Sequence, residues 1–159
     1  MKTFEPGFFA LENFIVKQET FDAREPHSEE PWHVAYNVND PFFRIMGASM
    51  VSVLENNPDH PFVFHLFTDG YSRDNAQKVR TLAEKWHCRC ILYKLDMEPF
   101  QDFHVKVARF SRITYGRLYM AKVLKKETDR FLYLDADTMV IRPLTGLFQL
   151  DMTGKAMGA

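Results

Sequence analysis

An apolar run leads directly into two aspartates in the stretch Phe131-Leu132-Tyr133-Leu134-Asp135-Ala136-Asp137. Four large hydrophobic residues in a row are typical of a strand that is buried on both faces of a parallel sheet. Side chains of an extended backbone alternate between the two faces, so the pattern predicts that Asp135 and Asp137 point the same way. The sequence therefore predicts two neighbouring carboxylates at the end of a buried strand.

Two carboxylates that lie side by side repel each other and resist burial unless a positive charge lies between them. The usual partner is a hard divalent cation, Mg²⁺ or Mn²⁺, which takes oxygen ligands and often shares them with phosphate. The same spacing also occurs where a strand simply gives way to a solvated turn. On the motif alone, a metal site at Asp135 and Asp137 and a plain turn both remain open.

Strands and helices are predicted to alternate along the chain upstream of this motif. We expect strands over residues 33–38, 63–68 and 89–95, and helices over 42–54, 73–86 and 113–125. Ser72 is the expected N-cap of the second helix. Such alternation is typical of an α/β fold with a mostly parallel sheet flanked by helices. Residues 1–31 are predicted to be an irregular N-terminal extension, and residues 32–159 to form the domain.

The expected strand order gives a physical reason for a ligand site. In an open doubly wound sheet, ligands bind beyond the carboxyl ends of the strands, where the strand order reverses. If the first three strands wind outward and the fourth returns beside the first, Asn39 and Asp135 become neighbours across that crevice. We therefore expect the acidic pair to face the polar end of the first predicted strand.

Four pieces of the sequence carry a family resemblance when they are taken together. They are the strand with a polar end at 33–40, Phe64-His65-Leu66-Phe67-Thr68-Asp69, Thr114-Tyr115-Gly116-Arg117-Leu118, and the Asp135 motif. In this order and spacing they resemble the glycosyltransferase family 8 enzymes, especially the glucosyl- and galactosyltransferases of the bacterial lipopolysaccharide core. The resemblance runs from about residue 33 to the C-terminus and implies a GT-A-like, Rossmann-like fold. The family's late His-x-x-Gly-x-x-Lys-Pro-Trp motif is absent, so the resemblance covers the N-terminal, nucleotide-binding half, and the domain looks truncated at the C-terminus.

The resemblance implies a retaining glycosyltransferase that moves glucose or galactose from UDP-glucose or UDP-galactose to a lipopolysaccharide core acceptor. Mn²⁺ or Mg²⁺ would be held by Asp135 and Asp137 and would bridge the two donor phosphates. The donor would contact six residues: Asn39, Asp40, Phe42, Arg117, Asp135 and Ala136. No residue is identified as catalytic.

Individual roles follow from the positions that these residues occupy in the family pattern. Asn39 stands where many members carry an aspartate that contacts uridine, and Phe42 stands where an aromatic ring often stacks on uracil. Ala136 is small enough to let the backbone approach the ribose. Arg117 would reach the donor sugar or its phosphate with its planar, permanently charged guanidinium. A solvated helix arginine is the alternative interpretation of Arg117.

Composition narrows the class of protein. Hydrophobic residues make up 46% of the chain and charged residues 26%, which is enough to bury a core. The net charge of −1 gives no drive toward nucleic acid. No apolar run approaches the roughly 20 residues of a membrane helix. We expect work on the cytoplasmic side, with weak peripheral contact with the inner membrane left open because the resembling enzymes act on lipid-linked acceptors. Cys88 and Cys90 are predicted to be reduced structural thiols.

Two other functions and one assembly state remain open on the sequence. The chain can be a catalytically incomplete fragment that binds UDP and metal. It can also be a haloacid-dehalogenase-like phosphatase, although Met139 stands where those enzymes carry a threonine. If the strand that carries Leu132 and Leu134 lacks its next neighbour, its open edge invites self-association.

Overall fold

The computed structural model describes residues 14–27, 29–102 and 111–155. Among them lies one five-stranded sheet with helices on both faces. Its strands are β1 (Ile15–Asp22), β2 (Trp32–Val38), β3 (Phe62–Thr68), β4 (Arg89–Leu95) and β5 (Leu132–Leu134). The α-helices are α1 (Phe43–Glu55), α2 (Arg73–Trp86), α3 (Arg117–Leu124) and α4 (Thr145–Phe148), and 3₁₀ turns cover Asp40–Phe42, Glu98–Phe100 and Arg112–Gly116. The predicted α/β class is confirmed.

The strand order confirms the predicted crossover. The order is β1-β4-β3-β2-β5, and each neighbouring pair from β4 to β5 is parallel. The chain winds outward from β2 through β3 to β4 and then returns to place β5 on the other side of β2. Tyr36 of β2 lies opposite Leu134 of β5, so Asn39 and Asp135 both emerge at the same edge of the sheet.

The N-terminal segment differs from its prediction. Residues 1–31 are predicted to be irregular, but Ile15–Asp22 forms β1 and pairs antiparallel with β4. A register shift between Ile15 and Lys17 marks a bulge, which reverses the faces taken by the residues that follow. Ile15 and Phe21 therefore pack on opposite faces of the sheet, although a spacing of six would place them on one face. Because of the bulge, the sequence of this strand does not alternate regularly between polar and apolar residues. The predicted domain boundary between residues 31 and 32 stays a prediction.

The central strand β3 separates two hydrophobic clusters. Every residue of β3 is buried, as a parallel strand covered on both faces should be. Phe64 and Leu66 pack into the cluster under α1 and α2, whereas Val63 and Phe67 pack into the cluster under α3. The alternation of side chains along one strand thus supplies both cores.

Three buried polar side chains, those of His33, His65 and Tyr93, lie in contact on the α3 side of the sheet. His33 Nδ1 lies 2.8 Å from His65 Nε2, and His65 Nδ1 lies 3.2 Å from the Tyr93 hydroxyl. Burial lowers the pKa of His33 to about 4 and that of His65 to about 3, so both rings are neutral at pH 7. Neutral rings can share one proton along each contact, which satisfies their buried nitrogens without a buried charge.

Local capping explains where α2 begins and ends. Ser72 has an extended backbone, and its side chain accepts a hydrogen bond from the Asn75 N–H, which confirms the predicted N-cap of α2. The helix ends at His87, whose φ of 49° reverses the chain toward β4. The helix predicted over 113–125 is instead divided into the 3₁₀ turn Arg112–Gly116 and the shorter helix α3.

The last strand is less buried than its sequence suggests. The run before Asp135 is predicted to be buried on both faces, yet all three residues of β5 are only half-buried. The reason is position: among the described residues β5 has a single neighbour, β2, so one of its edges is open. Burial on both faces needs a strand in the interior of the sheet, whatever its hydrophobicity.

The cysteines are free thiols, as predicted. Cys88 and Cys90 are both buried, and their Sγ atoms lie 3.9 Å apart, well beyond a disulfide bond of about 2.05 Å. Cys90 belongs to β4, and both thiols pack into the α1 and α2 cluster. No helix in the described ranges is both long and apolar enough to cross a bilayer.

Candidate functional site

The two aspartates lie in a turn. β5 ends at Leu134, and the Thr138 N–H donates to the Asp135 carbonyl at 3.1 Å, which closes a turn over Asp135–Thr138. The expected extended backbone therefore stops before the motif, because the ladder of β5 ends at Leu134, and the common direction of the two carboxylates stays a prediction. Asp135 and Asp137 are both exposed, one at each side of Ala136. The turn, and no longer the strand pleat, sets their relative direction.

Arg117, Tyr133 and Asp135 form a compact polar cluster beside this turn. The Tyr133 hydroxyl donates to Asp135 Oδ1 at 2.6 Å, and Arg117 Nη2 lies 3.6 Å from the same oxygen. The Arg117 guanidinium carbon lies 5.0 Å from the centre of the Tyr133 ring. Burial first, and then the bond to Asp135, raises the pKa of the Tyr133 hydroxyl, so it remains a donor at neutral pH. The structure thus brings Arg117 and Asp135 together, as the predicted site requires.

Gly116 allows Arg117 to reach this position. A Cβ atom on Gly116 would lie 2.8 Å from Leu95 Cδ1 and 3.0 Å from Asn37 Oδ1, so the turn before α3 approaches the ends of β4 and β2 very closely. Asn37 Nδ2 also donates to the Ile113 carbonyl at 2.5 Å, which fixes the same turn to β2. The start of α3 is therefore held over the carboxyl end of the sheet.

The segment after the aspartate turn is held by polar side chains at the end of α1. Ser52 Oγ accepts from the Val140 N–H at 2.9 Å, and Asn56 Nδ2 donates to the Val140 carbonyl at 3.0 Å. Asn57 Oδ1 accepts from the Leu144 N–H at 2.7 Å. These bonds replace the sheet ladder that the segment lacks, so they fix the turn that carries Asp135 without a further strand.

Asn39 offers a buried acceptor at the end of β2. Its side-chain oxygen is buried and has no hydrogen-bond partner among the described residues. A buried polar atom without a partner costs free energy, and a bound ligand that donates a hydrogen bond removes that cost. The predicted substrate contact at Asn39 therefore has a physical basis here.

Asp40 is engaged by the protein itself. Its carboxylate oxygen Oδ1 accepts from the Ser72 N–H and from Asn75 Nδ2, each at 2.7 Å. The bond from Asn75 first, and then that from Ser72, lowers the pKa of the Asp40 carboxyl. Asp40 therefore ties the end of β2 to the first turn of α2, a role that the sequence analysis does not foresee, and its predicted contact with substrate stays a prediction.

The two apolar members of the predicted site differ in exposure. Phe42 is 43% exposed beside Ile45, which is 42% exposed, so its ring presents a free surface. Ala136 is half-buried and packs against the cluster under α1 and α2. An exposed aromatic face can stack on a planar ligand, whereas Ala136 can offer only its backbone and methyl group.

Asp69, which follows β3, and Ser111 were not assigned from the sequence. Ser111 Oγ donates to Asp69 Oδ2 at 3.3 Å, and burial raises the pKa of the Asp69 carboxyl. Both residues line a cavity of about 570 Å³ at the ends of β3 and β4, together with Lys94 and Asp96. Tyr133 and Gly116 were also missed as site residues, because an aromatic residue in a strand and a glycine before a helix have common structural explanations.

The donor atoms at the turn fit a hard divalent cation. No hydrogen bond to a described residue occupies Asp135 Oδ2 or either carboxylate oxygen of Asp137. These are oxygen ligands of the kind that Mg²⁺ and Mn²⁺ prefer. Within the described ranges, however, no third histidine, cysteine or acidic residue joins a cluster that could hold a metal. Two protein carboxylates leave most positions around an octahedral ion to water or to a ligand's phosphates.

Comparison with known sequences identifies relatives over most of the chain. The lipopolysaccharide 1,3-galactosyltransferase of Salmonella typhimurium is 30% identical over 91% of this chain and 43% of its own length. The lipopolysaccharide 1,2-glucosyltransferase of Escherichia coli K12 is 31% identical over 93% of this chain and 44% of its own length. The chain therefore spans less than half the length of these relatives.

Solved structures show the same fold. The galactosyltransferase LgtC, in complex with donor and acceptor sugar analogs, aligns with a TM-score of 0.61 and 26% identity over 76% of this chain and 43% of its own. The bifunctional glycosyltransferase WbbM aligns with a TM-score of 0.61 over 82% of this chain and 23% of its own, but at 22% identity it supports the fold alone. These likenesses confirm the predicted GT-A-like architecture.

The family model agrees with these matches. The model described as glycosyl transferase family 8 matches residues 33–159, which is most of the chain. It begins at the start of β2 and includes the turn that carries the two aspartates. The chain belongs to glycosyl transferase family 8.

Proposed function

We propose that this chain is the donor-binding part of a retaining hexosyltransferase that moves glucose or galactose from a UDP-sugar to a lipopolysaccharide core acceptor. The relatives that match the chain are named as lipopolysaccharide galactosyl- and glucosyltransferases, which supports both the reaction class and the acceptor. The phosphatase alternative belongs to a different family and has no support from these matches. We also propose that the protein works on the cytoplasmic side of the inner membrane, where weak peripheral contact would bring it to a lipid-linked acceptor.

One observation carries the proposal: Arg117 and Asp135 meet at the carboxyl ends of β2 and β5. Their closest atoms lie 3.6 Å apart, at the place in a doubly wound sheet where ligands bind. A guanidinium that lies next to the two carboxylates combines a group that binds phosphate oxygens with groups that bind a metal ion. It suits a diphosphate whose oxygens contact both an arginine and a metal ion held by acids.

The chain's own residues would divide the work of binding the donor. Arg117 would leave Asp135 and place its two parallel N–H groups on a donor phosphate, while the Tyr133 hydroxyl keeps Asp135 oriented. Asn39 would accept a hydrogen bond from the uracil, and the exposed ring of Phe42 would stack on it. Ala136 would let the ribose approach the backbone, and Asp40 is the remaining proposed contact.

Asp135 and Asp137 would hold Mn²⁺ or Mg²⁺. Such an ion, when bound, supplies Lewis-acid stabilisation of the negative charge on the departing UDP. The exposed position of the turn matters for this role, because the carboxylates must reach an ion that also contacts the donor phosphates. Asp135 and Asp137 are both exposed, so their oxygens are accessible to such an ion.

Isothermal titration with UDP tests the binding part of the proposal. We expect UDP to bind in the presence of Mn²⁺ and to lose most of its affinity in EDTA. Asp137→Asn should lower the Mn²⁺-dependent affinity at least tenfold, since one anionic ligand is lost. Asp129→Asn removes an exposed carboxylate outside the turn and should change nothing. Equal UDP affinity with and without EDTA would refute the metal assignment.

A second candidate is a chain that binds UDP and metal but does not catalyse transfer. The lack of a third metal-binding side chain in the described ranges favours it. Transfer needs donor, metal and acceptor held together, and proximity alone can supply about 7–11 kcal/mol of the barrier. A UDP-release assay with a lipopolysaccharide acceptor separates the two. UDP release at ordinary enzyme rates would show that the chain catalyses transfer and would exclude the second candidate. UDP binding without UDP release would show that the chain alone does not catalyse transfer.

A further inference from the structure

A groove of about 270 Å³ lies between β1 and the first turns of α2. Its strand wall consists of alternate residues of β1, namely Lys17, Glu19 and Phe21. Its helix wall includes Arg73 and Arg80, which lie seven positions apart and so share one face of the helix, about 10 Å apart along the axis. The groove is therefore a short channel with an arginine near each end.

The groove carries an excess of positive charge. Glu19 is the only acid that lines it, and Glu19 forms an ion pair with Lys17. Neither Arg73 nor Arg80 forms an ion pair with any residue that the structure describes. The Arg80 guanidinium instead lies over the ring of Phe21, with its carbon 4.9 Å from the ring centre. Three cations and one anion leave a surplus of two positive charges in a concave surface, which concentrates the field on an incoming anion.

This groove is separate from the proposed donor site. β1 lies at one edge of the sheet and β5 at the other, with three strands between them. The family match begins at residue 33, after β1, so one wall of the groove is built by a segment outside that match. The other wall, with Arg73 and Arg80, lies within the matched residues.

We propose that the groove binds a phosphate group, carried by a soluble phosphate ester or by a lipid headgroup. Arginine offers planar pairs of N–H donors that match phosphate oxygens. Neither guanidinium forms an ion pair with a described residue, although the Arg80 charge is near enough to Glu19 to contribute to the lowered pKa of that carboxyl. The volume suits a small group, since it lies just below the range of about 300–1,000 Å³ that is usual for drug-sized ligands. Glu19 opposes an anion, and its pairing with Lys17 reduces that opposition without removing it.

Titration of the ¹⁵N-labelled chain with inorganic phosphate, at constant ionic strength set with chloride, tests the site. We expect amide resonances in 17–21 and 73–80 to shift together with one dissociation constant. Any phosphate that binds near Arg117 would shift a different set of resonances, so the two sites are distinguishable. Arg73→Gln with Arg80→Gln should weaken phosphate binding in the groove about tenfold, because each exposed charged contact contributes only modestly. Glu19→Gln should strengthen it.

The matched control is Lys125→Gln with Lys126→Gln, which removes the same net charge from exposed positions outside the groove. An equal loss of phosphate binding in this control, or none in the double arginine variant, would overturn the proposal. Flotation with phosphatidylglycerol and phosphatidylcholine vesicles identifies the source of the phosphate. Binding to phosphatidylglycerol that is lost in the arginine variant indicates a headgroup, and phosphate binding without vesicle binding indicates a soluble ester. UDP affinity in Mn²⁺ should be unchanged by either double variant.

Discussion

The two edges of the sheet are built in opposite ways. β1 has eight residues with charged side chains among them, yet it is fixed by Phe14, which is 1% exposed and precedes it directly. β5 has three hydrophobic residues, yet all three are only half-buried and the candidate site follows at once. β1 is nevertheless the more exposed strand, since five of its eight residues are exposed, whereas none of the three residues of β5 is. The two edges therefore differ in their anchors: β1 depends on one fully buried aromatic ring next to it, whereas β5 depends on the partial burial of its own three side chains.

The largest expected effect tests this contrast through one truncation at each edge. The Phe14 ring lies 4.0 Å from that of Tyr119 and 6.0 Å from that of Phe100, centre to centre. Phe14→Ala should lower the free energy of unfolding by about 3–5 kcal/mol, because it empties a buried site. Leu132→Ala, at the half-buried edge, should cost less than about 2 kcal/mol. Urea unfolding of both variants gives the comparison, and equal losses would mean that the two edges are equally anchored.

The next largest effect is a pH dependence of stability that arises from two histidines buried in the interior of the sheet, between its two edges. His33 and His65 are neutral in the folded chain, with pKa values of about 4 and about 3, whereas an unfolded histidine has a pKa of about 6.5. Below pH 6.5 the unfolded chain therefore binds more protons than the folded one. Stability should be complete above pH 6.5 and fall as the pH drops toward 4. The lowered pKa of His33 alone corresponds to a loss of about 3 kcal/mol in the free energy of unfolding when the pH reaches about 4.

Denaturant unfolding at several pH values between 7 and 4 measures this loss. His65→Gln should flatten the pH dependence, whatever its cost at pH 7, because it removes the more deeply shifted ring. His87→Asn is a suitable control, since His87 does not contact His33, His65 or Tyr93. Asparagine also tolerates the φ of 49° at this position. A pH profile of the His65 variant that parallels the wild-type profile would contradict the linkage.

The elements of the fold were predictable where local chemistry determines them. The bounds of β4 and the Ser72 cap of α2 agree with the sequence prediction, because strand propensity and capping act within a few residues. The return of β5 beside β2 followed from the rules of parallel sheets. β1 was missed because its bulge breaks the period of two, which is the signal by which a strand is recognised.

For the candidate site, which residues lie together was more predictable than how they are arranged. Arg117 and Asp135 were expected to share a site, and their contact depends on pieces that the sequence keeps far apart. The role of Asp40 depends on the Ser72 N–H, 32 positions away, and no local pattern announces such a bond. The aspartate turn replaced the expected strand because the bonds from α1 to Val140 take the place of a ladder.

A smaller effect on stability is expected when a methyl group is added to a glycine, and it should differ between closely packed Gly116 and Gly47, which has free space around it. Gly116→Ala places a methyl group 2.8 Å from Leu95 Cδ1 and 3.0 Å from Asn37 Oδ1, so it should destabilise the chain by about 1–3 kcal/mol. Gly47→Ala, in α1, meets no atom within 4 Å and should stabilise by up to about 1 kcal/mol through helix propensity. The midpoint temperature of thermal unfolding should therefore fall in Gly116→Ala and rise in Gly47→Ala. UDP titration should show weaker binding for the Gly116 variant alone, because Arg117 follows the displaced turn.

The smallest effect on stability, but a clear one on assembly, concerns β5, whose outer edge is unpaired among the described residues. In the segment that follows β5, Ile141 is 79% exposed and Met139 is 63% exposed, so this segment carries an apolar surface. We expect the chain to self-associate there in a concentration-dependent way, which sedimentation velocity would measure. Ile141→Lys should shift the distribution toward monomer while changing the free energy of unfolding by no more than about 0.5 kcal/mol. Val16→Lys makes the same kind of change at the β1 edge, where Val16 is 62% exposed, and should leave the distribution as it is. Association that responds to Val16→Lys and not to Ile141→Lys would place the reactive edge on the opposite side of the sheet.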